Sequence, residues 1–266
     1  MDTATYLKAV LLGIVEGLTE FLPISSTGHL IIAGDWLDFN RGSAGSFEVF
    51  IQLGAILSVC WFYRERLAAV VRDLGRSPAA NRFALNLGIA FVPAAAVGFF
   101  AHGHIKAMLF NPTVVAWALI AGGIAILLVE RHLSAPRALS ADSVTPRQAL
   151  QIGCAQVLAL IPGVSRSGAT IMGGMVSGLD RRAATEFSFF LAIPMMFAAT
   201  VYDLAKGWGE LGTEDIGIFA VGFVTAFVSA LAAIKFLLRY VSQHSFAAFA
   251  WYRIVFGALL LWFYRA

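Results

Sequence analysis

Two acidic residues, Glu16 and Glu20, lie four positions apart in an otherwise apolar stretch near the start of the chain. Residues at this spacing share one face of a helix, so the two carboxylates repel each other and require a cation. An arginine, a divalent metal ion or a shared proton would serve, and a proton-sharing structural pair is the alternative without chemistry. Gly13 and Gly17, on the same face, predict open space beside the two carboxylates.

A proline and a run of hydroxyl residues follow this acidic pair. Pro23 ends the helix, Ser25 or Ser26 caps the next one, and the first turn of that helix holds Thr27 and His29. Because a helix start binds anions and an imidazole can serve as acid, base or nucleophile, the cluster predicts chemistry on an anion. A buried histidine bonded to a backbone carbonyl is the alternative for His29.

A second turn, later in the chain, combines an arginine with further hydroxyls. Arg166 stands among Ser165, Ser167 and Thr170, and its planar fork matches the oxygens of a phosphate. The alternative is a structural salt bridge from Arg166 to the acidic pair, which does not exclude catalysis. Carboxylates, hydroxyls, an imidazole and a guanidinium together suit phosphoryl transfer, in which placement and charge neutralisation do most of the work.

The composition shows where these residues must lie. Of 266 residues, 59% are hydrophobic and 13% charged, with a mean hydropathy of +0.78, whereas soluble domains are about 45–50% apolar and about 25% charged. This excludes a disordered chain and an ordinary soluble enzyme, and it predicts an all-α integral membrane protein. The net charge of +3 is too small to indicate a nucleic-acid partner. Ionisable residues inside apolar segments are then functional candidates, namely Glu16, Glu20, His29, Glu48 and Arg166.

The apolar segments predict six transmembrane helices and two re-entrant hairpins. Six stretches approach the about 20 residues that a span needs, at about 46–64, 83–102, 111–130, 184–203, 216–238 and 246–264. Two further regions, about 5–38 and 146–179, are each interrupted by a cluster of turn residues, which predicts a helix–loop–helix that enters and leaves on one side. Most basic residues, among them Arg64, Arg131 and Arg181, fall on one side, which predicts that this side is cytoplasmic.

The chain also contains a predicted internal repeat. A shift that places Ser25 on Ser165 also places Gly28 on Gly168 and Phe47 on Phe187. A single polytopic domain, 1–266, would then have halves of about 1–133 and 141–266. Each half holds one hairpin and three spans, and three is odd, so the second half is inverted and the two broken segments meet near the midplane. A chance register among glycines and phenylalanines is the alternative.

Two long motifs carry a family resemblance. The segments 16–29 and 162–170, together with 47–54, are similar to the signatures of the undecaprenyl-diphosphate phosphatases, the bacitracin-resistance family. The resemblance implies a bacterial inner-membrane enzyme that removes the terminal phosphate of undecaprenyl diphosphate and so recycles the lipid carrier for cell-wall synthesis. It also implies a divalent cation, Mg²⁺ or Ca²⁺. Together with the predicted orientation, we expect a polar pocket that opens to the outer, periplasmic face.

The resemblance implies roles for the residues of both motifs. The predicted catalytic residues are Ser26, His29, Glu20 and Arg166. The residues predicted to bind phosphate are Arg166, Ser25, Thr27, Ser165, Ser167 and Thr170, and the predicted metal ligands are Glu16 and Glu20.

Several mechanisms and one rival function stay open at this point. Ser26 attacking the phosphorus with His29 as its base is the favoured mechanism, and a phosphohistidine or direct attack by water are the others. The rival function is a polyprenyl-phosphate flippase or transporter, because inverted repeats with broken helices are typical of transporters. The sequence leaves the prenyl chain length, the metal and the oligomeric state open, a homodimer included.

Overall fold

The chain folds almost entirely into helices. A computed structural model describes residues 3–39, 44–109, 111–132, 138–207 and 216–264, with side chains omitted at 44–45, 102–109 and 203–207. These residues form α1 (Thr3–Thr19), α2 (Ser26–Trp36), α3 (Ala44–Phe62), α4 (Arg64–Asp73), α5 (Pro78–Leu109), α6 (Pro112–His132), α7 (Pro146–Val157), α8 (Arg166–Val176), α9 (Arg181–Gly207), α10 (Ile216–Val241) and α11 (Ala247–Phe263). The all-helical membrane class predicted from composition is confirmed.

Four helices are long and apolar enough to cross a membrane. They are Pro78–Ala101 within α5, Pro112–His132 (α6), Arg181–Tyr202 within α9, and Ile216–Val241 (α10). A fifth candidate joins α3 to α4, which are bent by 74° at Tyr63. The sixth predicted span, 246–264, is the shorter apolar helix α11. The structure therefore supports a multi-pass membrane protein, and the arrangement of six spans with two re-entrant hairpins stays a prediction.

Both turn clusters interrupt their helices where the sequence predicts. The first turn, residues 20–25, separates α1 from α2, and the second turn, residues 158–165, separates α7 from α8. Each ends in a serine with a positive φ, 71° at Ser25 and 74° at Ser165, a backbone conformation that costs a non-glycine residue about 1–3 kcal/mol. Ser165 caps α8 by accepting from the Gly168 N–H, whereas the Ser25 side chain makes no capping bond.

The two helix–turn–helix segments match each other in length and position. α2 and α8 have 11 residues each, and the shift that places Ser25 on Ser165 carries both ends of α2 onto those of α8. Their packing also corresponds, since α1 packs on α10 while α7 packs on α5. α3 and α9 contact each other, as do α6 and α11.

Glycines let α1 and α7, the first helix of each segment, pack directly against the backbone of a long helix. A Cβ on Gly13 would lie 2.6 Å from the Gly222 carbonyl oxygen, and one on Gly153 would lie 2.5 Å from that of Ala90. Gly13 and Gly17 therefore face the α10 backbone. The prediction that they open space beside the glutamates is wrong, because the missing side chains are replaced by close helix packing.

Of the four long apolar helices described, α9 is the most buried. Its residues Phe187, Phe189 and Leu191 are completely buried, and Phe189 meets Phe21 of the first turn edge-on with ring centroids 5.3 Å apart. This packing places the neighbouring Ser188 beside α8.

A separate polar clamp joins three helices away from the two turns. The Glu130 carboxylate on α6 binds the Arg181 guanidinium at the start of α9, and Arg181 Nε lies 3.0 Å from Glu130 Oε1. The same Oε1 accepts the Phe246 backbone N–H at 2.7 Å, just before α11.

Candidate active site

The first and second turns contact each other directly. Ser167 Oγ, at the start of α8, donates to the Leu22 carbonyl oxygen at 2.9 Å. Arg166 Nη2 donates to Glu20 Oε1 at 2.8 Å, although these residues are 146 positions apart in the chain. The prediction from the repeat that the two broken segments meet at their turns agrees with these contacts.

Glu20 stands at the centre of this contact. Its Oε1 binds Arg166, and its Oε2 accepts the Ser26 hydroxyl at 2.5 Å. The side chain of Glu20 is 8% exposed. A hydroxyl that donates to a buried carboxylate is arranged for proton transfer away from oxygen, so the Glu20 carboxylate is within reach of the Ser26 proton.

Arg166 is held by several groups at once. Its Nη1 donates to the Ser188 carbonyl oxygen at 3.2 Å, and its Cζ lies 5.7 Å from the centroid of the Phe21 ring. Its Nε finds no hydrogen-bond partner among the described residues. The fork is thus oriented by its carboxylate and carbonyl partners and by the Met196 sulfur, 3.5 Å from Nη2. The Nε–H and the second N–H of Nη1 are left for an oxygen from outside the protein.

The hydroxyls around Arg166 form two short donation chains. Because the Ser167 proton is used on Leu22, the Ser165 hydroxyl donates to Ser167 Oγ, 3.0 Å away. Thr170 Oγ1 donates to the Arg166 carbonyl at 2.9 Å and so accepts from Ser188 Oγ at 2.6 Å. These predicted phosphate-binding side chains stabilise the second turn and α8. Thr27, on the first turn of α2, is half-buried.

His29 has partners other than Ser26. Its Nδ1 lies 2.7 Å from the Ser25 carbonyl oxygen, which can only accept, so Nδ1 carries the proton. The Tyr252 hydroxyl then donates to Nε2 at 2.6 Å. The ring also stacks on Phe256, with centroids 4.5 Å apart. Both ring nitrogens are occupied, and the structure does not bring the imidazole to the Ser26 hydroxyl, which donates to Glu20.

Glu16 is the group in this region that most needs a cation. It is fully buried, and neither carboxylate oxygen has a hydrogen-bond partner among the described residues. The negative charges of Glu20 and Glu48 act on it, as does the positive charge of Arg166. A bare buried carboxylate is costly unless it is protonated or paired.

The donor set fits a divalent ion that shares its coordination with a substrate. Within the described residues, no group of three or more histidine, cysteine, aspartate or glutamate side chains could hold a metal ion. Mg²⁺ is commonly bound by one or two carboxylates together with substrate phosphates and water. Glu16 could supply one such carboxylate. Glu20 uses one lone pair on each oxygen for Arg166 and Ser26, and the second lone pair of each oxygen could serve a metal ion.

Sequence reasoning missed two residues of this region, and a signal existed for one of them. Arg253 is a charged residue inside the predicted span 246–264, which is the criterion that identified Glu16 and Arg166. It is 1% exposed and bonds to both turns. Tyr252 carried no signal, because a tyrosine in an apolar helix is ordinary.

Comparisons with known proteins agree with the resemblance carried by the motifs. Residues 9–259 match the family described as bacitracin resistance protein BacA. A protein of Methylobacillus flagellatus named undecaprenyl-diphosphatase is 58% identical over 269 residues, covering 99% of this chain and 100% of the relative. A protein of the same name from Nitrosomonas europaea is 60% identical, covering 98% and 95%. Undecaprenyl-diphosphatase 1 of Burkholderia cenocepacia is 54% identical, covering 98% and 96%.

Proposed function

Because the chain belongs to the bacitracin resistance protein BacA family, we propose that it hydrolyses undecaprenyl diphosphate to undecaprenyl phosphate and inorganic phosphate. This reaction recycles the lipid carrier of cell-wall synthesis and confers bacitracin resistance, since it removes the diphosphate form. The observation that carries the proposal is Glu20, which joins the Ser26 hydroxyl to the Arg166 guanidinium across two distant parts of the chain.

In the proposed chemistry, Ser26 Oγ attacks the terminal phosphorus. As the new oxygen–phosphorus bond forms, the bond from phosphorus to the bridging oxygen breaks and undecaprenyl phosphate leaves. The hydroxyl proton passes to Glu20 Oε2, its present partner at 2.5 Å. Glu20 passes this proton to the departing undecaprenyl phosphate, and the free carboxylate then takes a proton from the water that attacks the phosphoserine. Glu20 gives that second proton to Ser26 Oγ as the serine–phosphorus bond breaks, which releases inorganic phosphate and restores the serine hydroxyl. Glu20 thus takes the role of base that the sequence had favoured for His29.

Arg166 has two tasks in this scheme. Its bond to Glu20 holds that carboxylate in place beside Ser26, and its remaining donors bind oxygens of the terminal phosphate. A guanidinium suits both because its donors lie in one plane at fixed angles. His29 orders the turn by bonding the Ser25 carbonyl.

A divalent cation, Mg²⁺ or Ca²⁺, would be held by Glu16, with Glu20 as a second ligand. When bound, it would neutralise charge on the diphosphate. This assignment is supported by Glu16, whose buried carboxylate has no hydrogen-bond partner among the described residues.

In the membrane, we propose six spans and two re-entrant hairpins in an inverted repeat with halves 1–133 and 141–266. The equal lengths of α2 and α8 and the corresponding packing of α1 on α10 and α7 on α5 support this arrangement. The basic side would face the cytoplasm of the inner membrane, with the prenyl chain in the hydrocarbon and the site open to the periplasm.

The decisive test is phosphate release from the full purified chain in detergent, with undecaprenyl diphosphate as substrate and with or without a chelator. A flippase is the second candidate, because the paired broken helices favour a transporter architecture. Release of phosphate that stops with the chelator is expected. No release by a folded protein would reject the phosphatase and leave the flippase.

A second experiment separates the three mechanisms. The enzyme is quenched during turnover of substrate labelled in its terminal phosphate, and the labelled peptide is mapped. Label on Ser26 is expected, label on His29 would indicate a phosphohistidine, and label on neither residue would favour direct attack by water.

A further inference from the structure

Arg253 on α11 is a buried cation that the proposed chemistry does not use. Its side chain is 1% exposed, and its five N–H groups all donate to backbone carbonyl oxygens at 2.9–3.3 Å. The accepting carbonyls belong to Pro23 of the first turn, Gly163 and Val164 of the second turn, and Ala118 and Leu119 of α6.

The surroundings are shaped for this guanidinium. A Cβ on Gly122 would overlap Nη2, and one on Gly168 would lie 3.2 Å from Nη1. Among the described residues, no carboxylate forms an ion pair with Arg253. Arginine is the side chain that offers five donors in one plane, so the number of donors, and not an opposite charge, accounts for its presence.

Helix packing alone does not require an arginine here. α6 and α11 cross through two corresponding close approaches, in which a Cβ on Gly123 would lie 2.7 Å from the Ala250 carbonyl and one on Gly257 would lie 2.7 Å from the Ala116 carbonyl. Gly257 and Ala250 of α11 each lie 134 positions after their counterparts on α6, Gly123 and Ala116. At the same separation, the counterpart of Arg253 is Leu119. The α6 side of the crossing therefore has an apolar side chain at the position that corresponds to Arg253. The arginine on α11 is explained by its bonds to the two turns.

We propose that Arg253 is a positioning residue for the phosphatase reaction, an inference that rests on the proposed function. By binding carbonyls of both turns at once, it sets the distance between Ser26 and Arg166. Ser26 lies three residues after Pro23, and Arg166 lies two residues after Val164. The bond of Ser167 to Leu22 and the bond of Arg166 to Glu20 are the other links between the turns described above. With Arg253 replaced, the turns stay present but lose the shared anchor that keeps Ser26 and Arg166 on Glu20.

The test compares Arg253→Lys with a matched control, Arg181→Lys. Lysine keeps the charge but offers at most three donors, so at least two carbonyls lose their partner. Because small displacements of reacting groups are costly, kcat of Arg253→Lys should fall by about tenfold to a hundredfold while KM changes little. Arg181→Lys weakens the Glu130 clamp and should lower the melting temperature while kcat, measured below that temperature, stays at the wild-type value.

A second readout does not depend on enzyme activity. Hydrogen exchange followed by mass spectrometry should show faster exchange in both turns, residues 20–25 and 158–165, in Arg253→Lys and not in Arg181→Lys. If the wild type releases no phosphate but Arg253→Lys still exchanges faster in both turns, the proposed function is rejected. The anchoring of both turns by Arg253 is then still supported. An active wild type with unchanged exchange or unchanged kcat in Arg253→Lys would overturn the positioning role. The positioning role would also be overturned if Arg253→Lys and Arg181→Lys lost the same factor in kcat at the same decrease in melting temperature.

Discussion

Replacing Glu20 by glutamine tests the centre of the proposed site with the least change of shape. The carboxylate uses one oxygen on Arg166 Nη2 at 2.8 Å and the other on the Ser26 hydroxyl at 2.5 Å. An amide has one oxygen, so it can keep only one of these acceptor bonds. With its oxygen on Arg166, its NH₂ group faces Ser26 and cannot take the serine proton.

Two free energies can be compared for this variant. Loss of a general base lowers kcat by about 10²–10⁴-fold, which corresponds to about 3–5 kcal/mol of transition-state stabilisation. In the folded state the bond from the Arg166 guanidinium keeps its charged donor, whereas the bond with the Ser26 hydroxyl falls from about 1.5–3 kcal/mol to about 0.5–1.5 kcal/mol. Because Glu20 is 8% exposed, solvent screens little of this loss. The effect on rate should therefore exceed the effect on stability.

Glu130→Gln is the matched control for this experiment. Glu130 also binds an arginine, Arg181, and a second donor, the Phe246 N–H, but it lies away from the two turns. Phosphate release at saturating substrate and thermal melting in detergent should be measured for both variants. Both should melt at lower temperature, and only Glu20→Gln should lose turnover. A Glu20→Gln enzyme that turns over at the wild-type rate would refute the assignment of the base.

Three further substitutions test other parts of the site. Arg166→Lys should lower kcat/KM by about a hundredfold, little better than Arg166→Ala, because a point charge cannot bind Glu20, the Ser188 carbonyl and a phosphate together; wild-type kcat/KM in the lysine variant would contradict this. Glu16→Gln should weaken Mn²⁺ binding, followed by electron paramagnetic resonance, and the response of phosphate release to added metal; an unchanged metal response would reject the ligand role. Ser25→Gly should raise the melting temperature, since glycine avoids the about 1–3 kcal/mol cost of a positive φ, whereas Ser25→Ala keeps that strain and should not stabilise.

Features that depend on local sequence were predictable. The turn clusters mark the breaks so well that α2 begins at Ser26 and α8 at Arg166, and apolar length locates the long helices. The contact of Glu20 with Arg166 could be predicted only because the repeat and the family motifs placed both turns together. No spacing rule relates residues 146 positions apart.

Features that depend on the direction of a side chain were not predictable. His29 stood beside Ser26 in the sequence, yet its nitrogens turn to the Ser25 carbonyl and to Tyr252, a residue 223 positions away. From the sequence alone, a glycine such as Gly13 could either open a cavity or allow close packing of a neighbouring backbone. Close packing is found because α10 lies against Gly13.

The close contacts of α1 and α7 with a long helix limit how the molecule can move. α1 cannot slide independently of α10 because Gly13 lies against its backbone, and Gly153 ties α7 to α5 in the same way. α1 and α10 consequently behave as one rigid body, as do α7 and α5. A motion that separates the two turns would therefore have to break the ion pair between Glu20 and Arg166, which joins them.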